Sequence, residues 1–180
     1  MFMFAFIPAA PFMARIYRSH SLASTPRTNR FWSGREFLIG HMRRPGQTYT
    51  HHLLTHEETW DKELGYQPVA FWFNCRQMDA LATFIETFKS IPEGAGTLLD
   101  NVLIFAATET NYARVHSIDG VPIFTAGHAG GRIKTGMHIV GNGDPITRVG
   151  LTAMQIMGLP LDTWGTRSLQ TSKTISEIVA

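Results

Sequence analysis

At 180 residues and 44% hydrophobic content, the chain is long enough for one globular domain with a sizeable core. Its one cysteine, Cys75, excludes an internal disulfide and a cysteine-built zinc cluster. The net charge of +2 hides a split: residues 1–56 hold seven Arg against one acid, Glu36, whereas residues 57–180 hold nine Lys or Arg against thirteen acids, a net −4 that argues against nucleic acid as a partner.

Residues 1–35 contain five Arg and four Ser but no Asp, Glu or Lys, and open with MFMFAFIPAAPFMA. That apolar opening is interrupted by Pro8 and Pro11 and is too short to span a membrane as a helix. A signal peptide carries its basic residues before the apolar run; here they come after it. Three readings stand side by side: a signal-peptide core, an Arg- and Ser-rich organelle leader, and a poorly structured extension. The scatter of Arg15, Arg18, Arg27, Arg30 and Arg35 disfavours a basic arm for nucleic acid. Residues 1–46 are therefore expected to form an N-terminal extension, disordered or leader-like.

The next stretch, THHLLTHEE, gathers His51, His52 and His56 before Glu57 and Glu58. On a helix His52 and His56 share a face, and that spacing can hold a transition metal between two imidazoles. The plainer reading is a polar helix start with exposed imidazoles. Gly65, Tyr66, Gln67 and Pro68 mark a loop. Residues 74–91 have a helical period, with Met78, Leu81, Ile85 and Phe88 on one stripe. Pro92 stops that helix, and PEGAG connects it to the next element. A crossover unit needs a strand before the helix, and VAFWF at residues 69–73 is the candidate.

Residues 102–107 are an unbroken apolar run, which suits a strand covered on both faces, as in a parallel sheet. Polar groups begin where the run ends, at Thr108, Glu109, Thr110 and Asn111. Ligands in open α/β sheets bind at the carboxyl ends of strands, which puts Glu109 and His116 where a site is expected. A second apolar run at residues 121–126 empties into Gly127, His128, Gly130, Gly131, Arg132 and Lys134, and then His138. Glycines there allow the close backbone approach of an anion-binding loop, and equally a tight surface loop. The P-loop pattern fails because Ile133 stands where Gly must precede the Lys, and GxGxxG and GxSxG are both absent. Glu109, His116, His128 and His138, with Asp119 and Asp144 further out, form a carboxylate and imidazole set suited to zinc, iron or manganese. Taken singly, each of these histidines reads as an ordinary surface or hydrogen-bonded residue.

Residues 137–140 read as a third strand. Asp144 and Pro145 lead into a second core helix over residues 146–157, ended by Gly158. The last residues fit a short terminal helix with Ile175, Ile178 and Val179 on one side.

THHLLTHEE, IPEGAGTLLDNVLIFAATE and the stretch SIDGVPIFTAGHAGGRIKTGMHIVGNGDPITRVGLTAMQIMGLPLDTWG carry a resemblance. Together they resemble the C-terminal half of a bacterial family of unknown function named for its HXXSHH motif. The resemblance covers residues 47–180. The motif itself reads His52-Leu53-Leu54-Thr55-His56-Glu57, with Thr for Ser and Glu for the last His. Members of that family are commonly longer and exported, with an Arg-containing leader, so the chain resembles a truncated copy lacking the N-terminal half, and the resemblance implies a periplasmic or exported location.

The family is distantly similar to alkaline phosphatase-like and sulfatase-like metalloenzymes. That similarity implies an α/β fold, a partial alkaline phosphatase-like three-layer sandwich with a mostly parallel sheet. It implies metal ligands at Glu109, His116 and His138, by the superfamily pattern of an acid ending a strand, a His soon after and a further His beyond a glycine-containing segment. It also implies metal-assisted hydrolysis of a phosphate or sulfate ester, with Arg132 and Lys134 neutralising a small anionic substrate. The plainer reading of Arg132 and Lys134 is two solvated loop charges. The family's nucleophile and first acidic ligands would lie in the absent half, and no catalytic nucleophile is identifiable here. The competing expectation is a non-catalytic exported binding or assembly module, or a truncated inactive copy that self-associates through the face its missing half would cover.

Overall fold

The computed structural model describes residues 2–8, as backbone, and residues 43–180. The chain mixes helices and short antiparallel sheets. In order, it forms strand β1 (Phe2–Pro8), helices α1 (His51–Glu57) and α2 (Pro68–Ser90), a small hairpin of β2 (Pro92–Glu93) and β3 (Gly96–Thr97), the one-turn helix α3 (Leu98–Asn101), strands β4 (Val102–Thr108) and β5 (Ile123–Ala126), and helix α4 (Thr147–Ile156). No helix among the described residues is long and apolar enough to cross a membrane.

The organising element is β4. Its burial is nearly continuous because a helix covers each face. Side chains alternate across a strand, so Val102, Ile104 and Ala106 face one way and Leu103 the other. The first set packs with Leu81, Met78, Phe84, Ile85 and Phe88 of α2. Leu103 packs with Ala153 and Ile156 of α4 and with Ala129 and Ile133 from the glycine-rich loop. A third cluster, Leu54, Ala70 and Phe73, joins α1 to α2.

The mostly parallel sheet is not what forms. The three-stranded sheet has the order β1-β4-β5, and both pairings are antiparallel. In the first, Phe2 lies opposite Thr108 and Pro8 opposite Val102. In the second, Ile104 lies opposite Ala126 and Ala107 opposite Ile123. A parallel neighbour needs a crossover that carries the chain back along the strand. The segment between β4 and β5 instead closes on itself near the end of β4, through the paired residues Tyr112 and Ser117, and re-enters the sheet in reverse.

The partner strand at residues 69–73 is likewise absent, because VAFWF is the first part of α2. Pro68 fits the first helical position, and Ala70, Phe73, Gln77 and Leu81 then recur at helical steps as the buried stripe. The helix over residues 74–91 therefore exists but starts earlier. Residues 137–140 form no strand, and the terminal helix reduces to a single 3-10 turn at Ser176–Ile178. Within the N-terminal extension, Phe2–Pro8 is an edge strand; residues 9–42 of that extension lie outside the described residues.

Candidate functional site

Helix α1 is held at both ends by side chains. Thr50 Oγ1 accepts a hydrogen bond from the Leu53 amide at the N-cap (3.3 Å). At the other end, Gln67 Nε2 donates to the carbonyls of Leu54, Thr55 and Glu58. The helix so fixed presents His52 and His56 four residues apart, with ring centroids 4.9 Å from each other.

The segment after β4 brings in a third ring. It makes a closed loop in which the Asn111 and Ser117 amides donate to the Ser117 and Tyr112 carbonyls, with a 3-10 turn at Ala113–Val115 between them. His116 ends that turn in the left-handed region, at φ +52, and its amide donates to the Ala113 carbonyl. Histidine is among the few side chains that tolerate this conformation. Trp60 packs edge-on against Tyr112 at 6.0 Å and joins the loop to the chain beyond α1. The outcome is a row of imidazoles, with His116 at 5.1 Å from His56.

Two imidazoles that share one tetrahedral zinc, at about 2.0–2.1 Å from nitrogen to metal, stand with their ring centres about 5 Å apart. The row has that spacing twice. Histidine is also the residue type such an ion prefers, which fits the donor set to zinc, iron or manganese. Among the described residues, no three His, Cys, Asp or Glu side chains already converge as a finished cage. Closing on an ion therefore requires rotation of the rings about χ1 and χ2.

The other predicted site residues are dispersed. Glu109 is exposed one residue beyond β4, in the segment that carries His116. His138 is exposed on an irregular stretch. His128 is occupied by Asp100, Nδ1 to Oδ1 at 3.0 Å. Asp100 also accepts from the Thr97 amide and hydroxyl, and these bonds, with His128, pull its carboxyl down to about 2. Asp144 is held by Arg148 at 2.7 Å and Lys173 at 3.4 Å, and so supports α4.

The antiparallel course of β5 explains the dispersal. It returns the glycine-rich loop to the start of β4, where the His128, Ala129 and Gly130 amides donate to the Leu99, Val102 and Asp100 carbonyls. Gly127 is needed at that approach: its φ is +92, and a Cβ there would overlap the Val102 carbonyl oxygen. Glu109 and His116 lie past the other end of a seven-residue strand, roughly 20 Å away along it. Arg132 belongs to the loop at the start of β4, and its Nη1 donates to the Ile156 carbonyl (3.1 Å), satisfying the C-terminus of α4. Lys134 is exposed nearby and its amide donates to the Ile178 carbonyl.

Three residues to which sequence patterns assign no role carry inaccessible polar atoms without a hydrogen-bond partner: His51, Gln77 and Thr108. A signal for Gln77 exists, since it interrupts an otherwise apolar stripe of α2. No family model, curated protein or solved structure matches the chain.

Proposed function

We propose that this α/β domain binds a divalent transition metal through His52, His56 and His116. The observation that carries the reading is the row of three imidazoles, two from α1 and one from a loop 60 residues further along the chain, in which each neighbouring pair stands at the spacing of rings that share an ion. The HXXSHH resemblance leads to the α1 pair from the motif side, since His52 and His56 occupy its first two histidine positions. Glu109 enters the same loop as His116 and is the carboxylate proposed to complete the set. His138 has no place in this reading.

The activity that fits such an ion is hydrolysis of a phosphate or sulfate ester, the reaction that the sequence resemblance implies. A bound divalent metal supplies Lewis-acid polarisation of the ester oxygen. The contribution of the chain is then to hold three neutral imidazoles on two elements tied together by Trp60 and Tyr112. One observation favours the alternative, a non-catalytic metal-binding module: Arg132, the candidate for neutralising an anionic substrate, is engaged by the end of α4.

The test is the metal content of the purified chain after exhaustive dialysis. Near-stoichiometric zinc, iron or manganese is expected, with a large loss in His56→Ala and His116→Ala and none in His138→Ala. Equal metal content in all three variants contradicts the assignment. Turnover of an aryl phosphate or aryl sulfate by the metal-loaded chain then separates the hydrolase from the binding module.

A further inference from the structure

The ridge of α1 next to the imidazole pair faces a different site. His51 lines a cleft of about 280 Å³ together with Asn74 and Gln77 of α2 and Thr108, Asn111 and Tyr112 at the end of β4. Among the described residues, no Lys, Arg, Asp or Glu lines it. Among the described residues, three solvent-inaccessible side-chain atoms have no hydrogen-bond partner: His51 Nε2, Gln77 Nε2 and Thr108 Oγ1. The three residues that carry them all line this one cleft, and they come from three different elements. His51 and Gln77 are only 4% and 2% exposed.

Buried polar side chains are almost always paired, and a native exception calls for an explanation. Three exceptions on one cavity share one explanation, which is a partner that enters the cavity. The chemistry of the walls restricts it. Gln77 Nε2 can only donate; the Thr108 hydroxyl can donate or accept; a neutral imidazole nitrogen does one or the other according to its tautomer. Among the described residues, an anionic ligand would find no Lys or Arg there, and a cationic one no carboxylate. Hydroxyl groups answer all three side chains, because each donates and accepts. The carboxamides of Asn74 and Asn111 set a donor beside an acceptor, as adjacent hydroxyls require. The volume lies at the lower end of small-molecule sites, enough for one ring but not a chain of them.

We infer that the cleft between α1, α2 and the end of β4 binds an uncharged polyhydroxy compound of single-sugar size, through His51, Gln77 and Thr108. This site is separate from the imidazole row and does not depend on metal there.

The experiment uses the full chain, with glucose, N-acetylglucosamine and myo-inositol as probes, and reads binding by saturation-transfer NMR and calorimetry in the presence and absence of a chelator. At least one probe is expected to bind, with and without chelator, and galacturonate and glucosamine, which carry charge, to bind at least tenfold more weakly. Thr108→Val and Gln77→Met, each close to the shape of the original, are expected to weaken the bound probe at least tenfold. Their melting temperatures are expected to hold or rise, because each removes an unpaired polar atom. Failure of all three neutral probes to bind overturns the inference, with water then left as the partner of the three atoms. Unaltered affinity in either folded variant, or tighter binding of the charged sugars, also overturns it.

Discussion

Glu58 and Gln67 cap each other's helices. Glu58, the residue that ends α1, accepts hydrogen bonds from the Val69 and Ala70 amides in the first turn of α2, both at 2.7 Å. Gln67, the residue that precedes α2, donates back to three carbonyls at the end of α1. The exchange satisfies orphan groups at both termini and places a carboxylate at the positive end of a 23-residue helix dipole. It also fixes the α1–α2 connection, on which both His56 and the His51 cleft rest.

Loss of that carboxylate should therefore be costly for a partly exposed residue. Glu58→Ala is expected to destabilise the chain by about 1–2 kcal/mol, as for a lost helix cap. Glu57→Ala, its exposed neighbour, should change stability by less than about 0.5 kcal/mol. Urea denaturation of both variants checks the difference, and equal effects would contradict the capping role.

Burial pulls the His51 imidazole down from 6.5 to about 4. As pH falls, the unfolded chain therefore takes up this proton before the folded chain does. The contribution to stability is complete above pH 6.5 and declines as pH falls towards about 4. The ring stacks on Phe73 at 4.8 Å, so His51→Phe keeps a flat ring while removing the titration. Melting temperatures measured across that range should fall in the wild type and stay level in the variant. Asp100 adds a second step at lower pH. Its Thr97 and His128 partners hold its carboxyl near 2 instead of 3.8, so that contribution is present above 3.8 and lost as pH drops towards 2. Asp100→Asn should remove this step only.

Gly127 and Gly130 both have positive φ but different surroundings. At Gly127 a Cβ would overlap the Val102 carbonyl oxygen and approach the Leu99 carbonyl oxygen at 2.9 Å; at Gly130 it would meet open space. Gly130→Ala is expected to cost about 1–2 kcal/mol from conformation alone. Gly127→Ala should cost more, above about 3 kcal/mol, because main chain must move at the start of β4. Guanidinium denaturation ranks the two, and the reverse order would show that the glycine-rich loop does not dock as described.

How much of the fold is legible in the sequence depends on how each feature is encoded. Period marks out α2 and α4, and an unbroken apolar run marks out β4, because burial repeats along each element. The same run does not give the direction of its neighbours: two-sided cover is equally met by antiparallel strands between helices. That one ambiguity scatters the site, since a reversed β5 carries His128, Arg132 and Lys134 to the far end of β4. VAFWF imitates a strand because its five residues are too few to show a period. His52, His56 and His116 are legible as ligand types, but their meeting depends on a left-handed turn at His116 that no local pattern demands. His51, Gln77 and Thr108 are not legible as a group, because a buried polar residue reveals itself only by its neighbours in space.

The most direct measurement is a cobalt(II) titration of the metal-free chain, read by visible absorption. Ligation of one ion by the imidazole row predicts saturation at one equivalent and displacement by zinc. It also predicts loss of the signal in both His56→Ala and His116→Ala, and its retention in His138→Ala and Thr108→Val. A chain that gives no cobalt spectrum, or whose spectrum survives in the two row variants, would contradict a metal site at His52, His56 and His116.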